Sequence, residues 1–321
     1  MIKKECEVPL KIKKLEALLR RLPGDHPQRK EIEGDLAKNR AGYKGEQSLD
    51  YYLSFLPHQD YFIFHDLRLP HQNHFFQLDV LLLSSKFFLI MEVKHISGAV
   101  LFDHAFHQLI RTANESETVF PDPILQAERQ AAQLTEWLKQ HKCPLIPVEF
   151  LVVMTNSSTL IKSSPPHSRS MQKVVRSTNL APKIAALQSV HSEERLNKRE
   201  LRRVCSLLLK YNTPHDLDIL ERFNISKSKI IKGVHCPSCY SLPMERKQRK
   251  WNCSYCSFSS KDAHVSSLQD YALIFGRTIT NRQLRDFLQL SSDSTARKLL
   301  AAMNMPYTGT TKGREYHLPI E

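Results

Sequence analysis

The sequence predicts a mixed α/β (α+β) fold followed by small helical and metal-held modules, and three observations carry that reading. Between residues 10 and 155, helical periodicity and strand-length apolar runs follow one another as helix, strands, helix, strand, the pattern of helices packed on a sheet. Four of the seven cysteines stand in two C-x2-C pairs: Cys236, Cys239, Cys253 and Cys256. Charge is split along the chain. Residues 1–159 hold 19 Lys and Arg against 20 Asp and Glu, whereas residues 160–321 hold 27 against 13.

Taken in order, Leu10, Ile12, Leu15, Leu18, Leu19 and Leu22 form one helical stripe that PGDHP breaks. A second helix is expected from about Glu31, and AGYKGEQSLDYYLSFLP supplies another, with Glu46 near its start and Pro57 at its end. DYFIFHDLRLP, HFFQLDVLLLSS and FFLIMEVK read as strands, the last two joined by a turn at Ser84-Ser85, and SGAVLF adds a short fourth. DPILQAERQAAQLTEWLKQHK is an amphipathic helix with Ile124, Leu125, Ala127, Ala131, Leu134 and Leu138 on one side, and VEFLVVMT is one more buried strand. The Ser- and Pro-rich NSSTLIKSSPPHSRS reads as a loop or linker, and SEERLNKRELRRVCSLLLK as a strongly basic helix.

A chain of 321 residues with 41% hydrophobic content has material for two or three domains. An odd cysteine count with one tight cluster argues against a secreted disulfide framework and for a reducing compartment. The charged N-terminal stretch has no apolar core of a signal peptide, and no apolar run approaches the ~18–20 residues of a membrane span. A cytoplasmic protein without membrane contact is expected. The net charge of +13, all of it from the second half, predicts a phosphate-bearing partner for that half.

The chemistry concentrates in FFLIMEVKHISG. Side chains at i and i+2 of a strand share a face, so Glu92 and Lys94 point the same way. A hairpin turning near residues 84–86 brings Asp79 beside Glu92. Two acids and a lysine on apolar strands are costly to bury unless paired or bound to a metal. Paired carboxylates suit a hard divalent cation such as Mg2+, and a nearby lysine can stabilise charge developing on a phosphoryl group. The pattern is short, and alone it fits a structural ion pair as well as a phosphodiesterase site. Glu46 could project toward the same face as a third acid or simply complement a helix dipole. Gln126, one turn into its helix, could bond an active-site lysine, water or phosphate, or be an ordinary surface residue.

In this order the motifs GYKGE, QLDVLLL, EVKHISG and PILQ resemble the NERD domain, the nuclease-related domain, which is placed in the PD-(D/E)xK superfamily with restriction endonucleases and Holliday-junction resolvases. The resemblance covers roughly residues 38–155. It implies a restriction-endonuclease-like αβββαβ core, with Glu46, Asp79 and Glu92 as ligands of Mg2+ or Mn2+, Lys94 as the catalytic lysine and Gln126 as an accessory polar residue. The chain departs from the pattern at Asp122, where Asn is commoner, and at His95, where Asn is expected.

The pairs Cys236/Cys239 and Cys253/Cys256 are separated by thirteen residues, the arrangement of a four-thiolate Zn2+ site of structural type, a zinc ribbon. The spacer carries Arg246, Lys247, Arg249 and Lys250 beside Trp251. Cations there can neutralise phosphates; Trp251 fits the small ribbon core better than a base-stacking role. TITNRQLRDFLQLSSDSTARKLLAAMN predicts two short helices, capped by Thr280 or Asn281 and by Ser292 or Asp293, with Leu284, Phe287, Leu288, Leu299 and Leu300 inside. Arg297 and Lys298 then face outward, and YTGTTKGREYHL reads as a hairpin with Lys312 and Arg314 at its tip. This order resembles a winged helix-turn-helix.

The expected organisation is an N-terminal helical segment (1–37), the nuclease-like domain (38–155), a linker and basic helical region (156–232), the zinc ribbon (233–262) and a helix-turn-helix-like module (263–321). The expected function is metal-dependent hydrolysis of phosphodiester bonds, with DNA as the favoured substrate and the basic C-terminal half as its grip. The alternative is a non-catalytic nucleic-acid-binding or adaptor protein built on the same fold.

Overall fold

The computed structural model describes residues 1–166, 169–310 and 313–319. The chain divides into two compact units. Unit 1 comprises residues 1–8 and 39–215, and unit 2 comprises residues 9–38 and 216–321. The described elements begin with strand β1 (Ile2–Lys4), helix α1 (Leu10–Arg21) and helix α2 (Arg29–Leu53). There follow β2 (Phe62–His71), β3 (His74–Leu83), β4 (Phe88–Lys94), β5 (Ala99–Asp103), β6 (Gln108–Ala113), β7 (Ser116–Pro121), α3 (Pro123–Gln140), β8 (Val148–Met154), β9 (Leu160–Ser164), β10 (Val174–Arg176), α4 (Leu180–Val190) and α5 (Lys198–Tyr211).

Unit 1 is built on a six-stranded sheet in the order β1-β2-β3-β4-β8-β10. The β2–β3 and β3–β4 pairs are antiparallel hairpins, while β8 runs parallel to β4 after the α3 crossover. Helices cover both faces. Leu49 and Leu53 of α2, with Leu180 and Ile184 of α4, pack on Leu89, Met91 and Val93. Leu134, Trp137 and Leu138 of α3, with Leu201, Val204 and Leu208 of α5, pack on Phe88, Ile90 and Leu81. A strand buried on both faces has no polar side, which is why β4 is apolar from Phe88 to Met91. The order α2-β2-β3-β4-α3-β8 is the one expected, with one addition. Between β4 and α3 the chain builds a second sheet, β7-β6-β5-β9, of which only β5 was foreseen. Strand β7 is mostly exposed and reads as polar, and β6 buries only Leu109 fully.

The structure differs from expectation at three boundaries. The two helices expected between Glu31 and Pro57 are one, α2. Its three glycines, Gly34, Gly42 and Gly45, keep ordinary helical backbone rather than the left-handed conformation that ends helices. Residues 156–215 pack into unit 1, where β10 extends the sheet beside β8 and α5 joins the core under α3. The N-terminal segment is also not separate, because residues 9–38 pack into unit 2. Charge is redistributed accordingly. Residues 160–215 carry eleven Lys and Arg against three Asp and Glu, so much of the basic half belongs to unit 1.

Unit 2 continues with a short helix α6 (Ile219–Arg222) and a small sheet β11 (Glu245–Lys247), β12 (Lys250–Asn252) and β13 (Ser259–Ser260). Then come α7 (Ala263–Phe275), β14 (Thr278–Thr280), α8 (Asn281–Leu288), α9 (Asp293–Ala302), β15 (Tyr307–Thr308) and β16 (Glu315–His317). Thr280 caps α8 in a capping box, and Ser292 caps α9. The strands β15 and β16 pair antiparallel as expected, with β14 joining β16 from the other side. Leu268, Ile279, Leu284, Phe287, Leu299, Leu300 and Leu318 share one core with Trp251. Asp270, fully buried in α7, is bonded by Arg20 and Arg21 of α1 at 2.6 and 2.9 Å and lies 3.1 Å from His235 Nδ1. That pairing satisfies a charge that would otherwise be prohibitive to bury. Among the described residues no helix is long and apolar enough to cross a membrane.

Candidate active site and zinc ribbon

The pleat of the central hairpin breaks where the acids sit. In β2, Phe64 and then Leu67 and Leu69 enter the same core; in β3, Phe76 and Leu78 share a core with Leu81 and Leu83. Strict alternation cannot give this. It slips by one residue at Asp66 and at Asp79, which stand opposite one another between the pairs His65↔Val80 and Leu67↔Leu78. Asp66 takes the slip in its backbone, with φ 49°. Asp79 lies beyond the last β3–β4 pair, Val80↔Met91, and its Oδ2 accepts a 2.8 Å hydrogen bond from the Val93 amide. This ties Asp79 to the end of β4, where Glu92 and Lys94 emerge.

Glu92 is only 2% exposed, and both its oxygens are engaged. Lys94 Nζ lies 2.6 Å from Oε1, and Gln130 Nε2 donates to Oε2 at 2.9 Å. Lys94 also donates to Gln126 Oε1 at 3.3 Å, and Gln130 to the Gln77 carbonyl at 2.9 Å. Gln126 and Gln130 are one turn apart on α3, so their side chains lie on one face. The helix is aimed by its start: Asp122 accepts from the Ile124 amide at 2.8 Å, and Pro123 occupies the first helical position. An Asn would cap the same amide, so the departure at Asp122 is structurally interchangeable.

Glu46 arrives from the opposite face of the sheet, in the interior of α2 rather than at a helix start, so a dipole role does not apply to it. The approach depends on Gly45, where a Cβ would lie 2.5 Å from His95 Cβ and 3.0 Å from Thr155 Oγ1. His95, in turn, is held by Nδ1 at 3.0 Å from that same Thr155 hydroxyl. Burial, with the negative charges of Asp66 and Glu92, pushes the Glu46 carboxyl up to about 7. Burial and the charges of Glu92 and Glu46 raise Asp79 well above the usual carboxylate range, against the pull of the Val93 amide and Lys94. The nearby ammonium groups of Lys4 and Lys94 do not offset this crowding. Oxygen donors held in uncompensated mutual repulsion are chemically suited to a hard divalent cation. The carboxylates are neighbours but are not closed around a point. Among the described residues, the cysteine cluster is the one set of three or more Asp, Glu, His or Cys ligand atoms that all lie within 4.8 Å of one another.

Three residues of this neighbourhood escaped the sequence reading. Gln130 was detectable as the residue four after Gln126. Asp66 follows from hairpin register once Gln72-Asn73 is taken as the turn. Lys4, whose Nζ bonds the carbonyls of His65 and Asp66 at 2.8 and 2.9 Å, gave no signal, because it comes from the distant edge strand β1.

In unit 2 the four cysteines converge. The Sγ atoms of Cys236 and Cys256, and of Cys239 and Cys253, are 3.6 Å apart. Tetrahedral Zn2+ with Zn–S bonds of about 2.3 Å requires S···S separations of roughly 3.8 Å, so the cluster is consistent with a structural zinc site. The two knuckles repeat one turn: Tyr240 and Ser257, each four residues after the first cysteine of its pair, both have left-handed backbone, φ 60° and 59°. The Ser241 hydroxyl lies 3.1 Å from both Cys239 and Cys253 and holds the latter's thiol down to about 6. Trp251 is buried in the core, which leaves it no base-stacking role.

The expected nucleic-acid residues separate into groups. Arg246, Arg249 and Lys298 line one cavity of about 730 Å3. Arg297 and Arg314 line another of about 870 Å3, joined by Arg282 and Arg285. Lys247 is paired with Glu245 at 2.5 Å, and Lys250 stands opposite Lys247 in the hairpin. Lys312 lies outside the described residues.

Neither a curated protein nor a solved structure gives a significant match to the chain. The family model of NERD, the nuclease-related domain, matches residues 41–155, the stretch that holds Glu46, Asp79, Glu92, Lys94 and Gln126.

Proposed function

We propose that unit 1 is a metal-dependent nuclease, hydrolysing phosphodiester bonds of DNA, and that unit 2 binds the nucleic acid. The observation that carries the reading is the Glu92–Lys94 pair at the end of a buried strand, with Asp79 fastened to the same strand end and Gln126 on the lysine. Glu46, Asp79 and Glu92 would hold Mg2+ or Mn2+. When bound, such a cation polarises a phosphoryl oxygen and lowers the pKa of bound water. Lys94 stabilises negative charge developing on the phosphate. Gln126 orients the Lys94 ammonium, and Gln130 holds the Glu92 carboxylate so that one oxygen faces the site. The exposed cations of α5 give unit 1 its own attraction for a phosphate backbone. The order α7, β14, α8, α9, β15, β16 supports reading the C-terminal module as a winged helix that presents α9 to the DNA major groove.

The second reading, a nuclease-like fold used only for binding, draws on the carboxylates that are not closed around one point. Digestion of labelled linear, nicked and branched DNA, and of RNA, with Mg2+ or Mn2+ separates the two. Wild type is expected to cleave, and Asp79→Ala and Lys94→Ala to lose cleavage while still binding. If all three proteins are equally inert yet bind DNA, catalysis is wrong and the binding reading stands.

A further inference from the structure

We propose that the zinc ribbon and the helix pair of unit 2 form one composite DNA clamp, in which the β11–β12 turn and α9 grip the backbone of a single duplex. The inference rests on reading unit 2 as DNA-binding and adds a partner surface within it. The cavity between these elements is lined by Arg246 and Arg249 from the ribbon, Lys298 and Thr295 from α9, and Gln289 and Ser292 from the segment before it. Among the described residues no carboxylate lines it, whereas the two neighbouring basic cavities include Asp286 and Asp293. Three cations with hydroxyl and amide donors, and no facing acid, are complementary to phosphodiester oxygens.

The ribbon fixes where its two cations sit. Arg246 stacks on the buried Trp251 ring, 4.9 Å from its centroid. Arg249 sits in a two-residue turn with Gln248, both left-handed at φ 64° and 50°. Glycine or asparagine is the comfortable choice in such a turn, so an arginine there costs backbone strain. On the other wall, α9 exposes Ser294, Arg297 and Lys298. A B-form major groove, about 12 Å wide, admits a helix; the deep, narrow major groove of A-form RNA does not. Duplex DNA is therefore the partner this surface fits.

The test uses the full-length, zinc-loaded protein and a labelled mixed-sequence DNA duplex, with affinity measured by fluorescence anisotropy across a salt series. Arg249→Gly removes the cation while easing the turn, so weaker binding cannot be charged to misfolding. Arg249→Gly and Lys298→Ala are each expected to flatten the log–log salt slope by about 0.9, and the double variant by about 1.8. Lys227→Ala, which removes an exposed cation of unit 2 that does not line this cavity, should match wild type. If Arg249→Gly binds like wild type while Lys298→Ala is weakened, the ribbon is not part of the clamp, and DNA binding by unit 2 stands. If Lys227→Ala is as damaging as Arg249→Gly, only general charge is at work and the clamp is refuted. Equal competition by duplex RNA refutes the assignment of DNA. Failure of the wild type to bind any duplex removes the underlying reading as well.

Discussion

Gly45→Ala tests how α2 delivers Glu46. The added Cβ would lie 2.5 Å from His95 Cβ, against an optimum carbon separation of about 3.5–4.0 Å. Helix and strand end must therefore part by roughly 1 Å, because both Cβ atoms are set by backbone and neither can rotate away. Overpacking of this kind costs about 1–3 kcal/mol, and replacing Gly by Ala inside a helix returns up to about 1 kcal/mol. The net loss is on the order of 1–2 kcal/mol. Gly42, almost one turn earlier, has nothing within 4 Å of its own added Cβ, so Gly42→Ala should gain about 0.5–1 kcal/mol. Urea unfolding should thus move the two midpoints in opposite directions. In the cleavage assay, a misplacement of about 1 Å at the site predicts a fall on the order of 100-fold for Gly45→Ala, with Gly42→Ala near wild type. Equal stability and equal cleavage in the two variants would refute the argument that this close approach positions Glu46.

Two further predictions concern protons and metal. His65 is fully buried, its Nε2 3.1 Å from Asp50 Oδ1 but without hydrogen-bond geometry, and burial together with the Lys4 charge lowers it from 6.5 to about 4. The unfolded chain takes up this proton first, so stability is complete above pH ~6.5 and declines as pH falls toward 4. The loss from this group is on the order of 3 kcal/mol, and denaturant unfolding at several pH values should show it in wild type but not in His65→Asn. Chelation of zinc should release the three short ribbon strands, which have too little core to persist alone. Trp251 emission should then shift to the red, while Trp137, buried in unit 1, supplies an unchanged background.

Much of this was legible because it is local. Strand identity followed from apolar runs, the amphipathic α3 from its stripe, the α8 and α9 caps to within one residue (Thr280 or Asn281, Ser292 or Asp293), and the cysteine knuckles from spacing alone. Each depends on neighbours a few residues apart. The β6–β7 hairpin was missed because β7 is mostly exposed and β6 buries a single residue fully, so neither shows an apolar stripe. The break expected within residues 31–57 was wrong because a glycine ends a helix only when its backbone turns left-handed, which composition does not report.

The sequence by itself determined which residues could do chemistry: the Asp79, Glu92 and Lys94 set on apolar strands, and four thiolates at metal spacing. Residue type and short-range periodicity carry that information. Only the tertiary structure decided that Glu46 comes in over Gly45 from the opposite face, that Asp66 stands across from Asp79, and that Gln130 holds Glu92. It also decided which ribbon cations meet Lys298. These juxtapositions arise from strand register, helix approach and side-chain burial, and such distances are set by the packing of segments far apart in the chain.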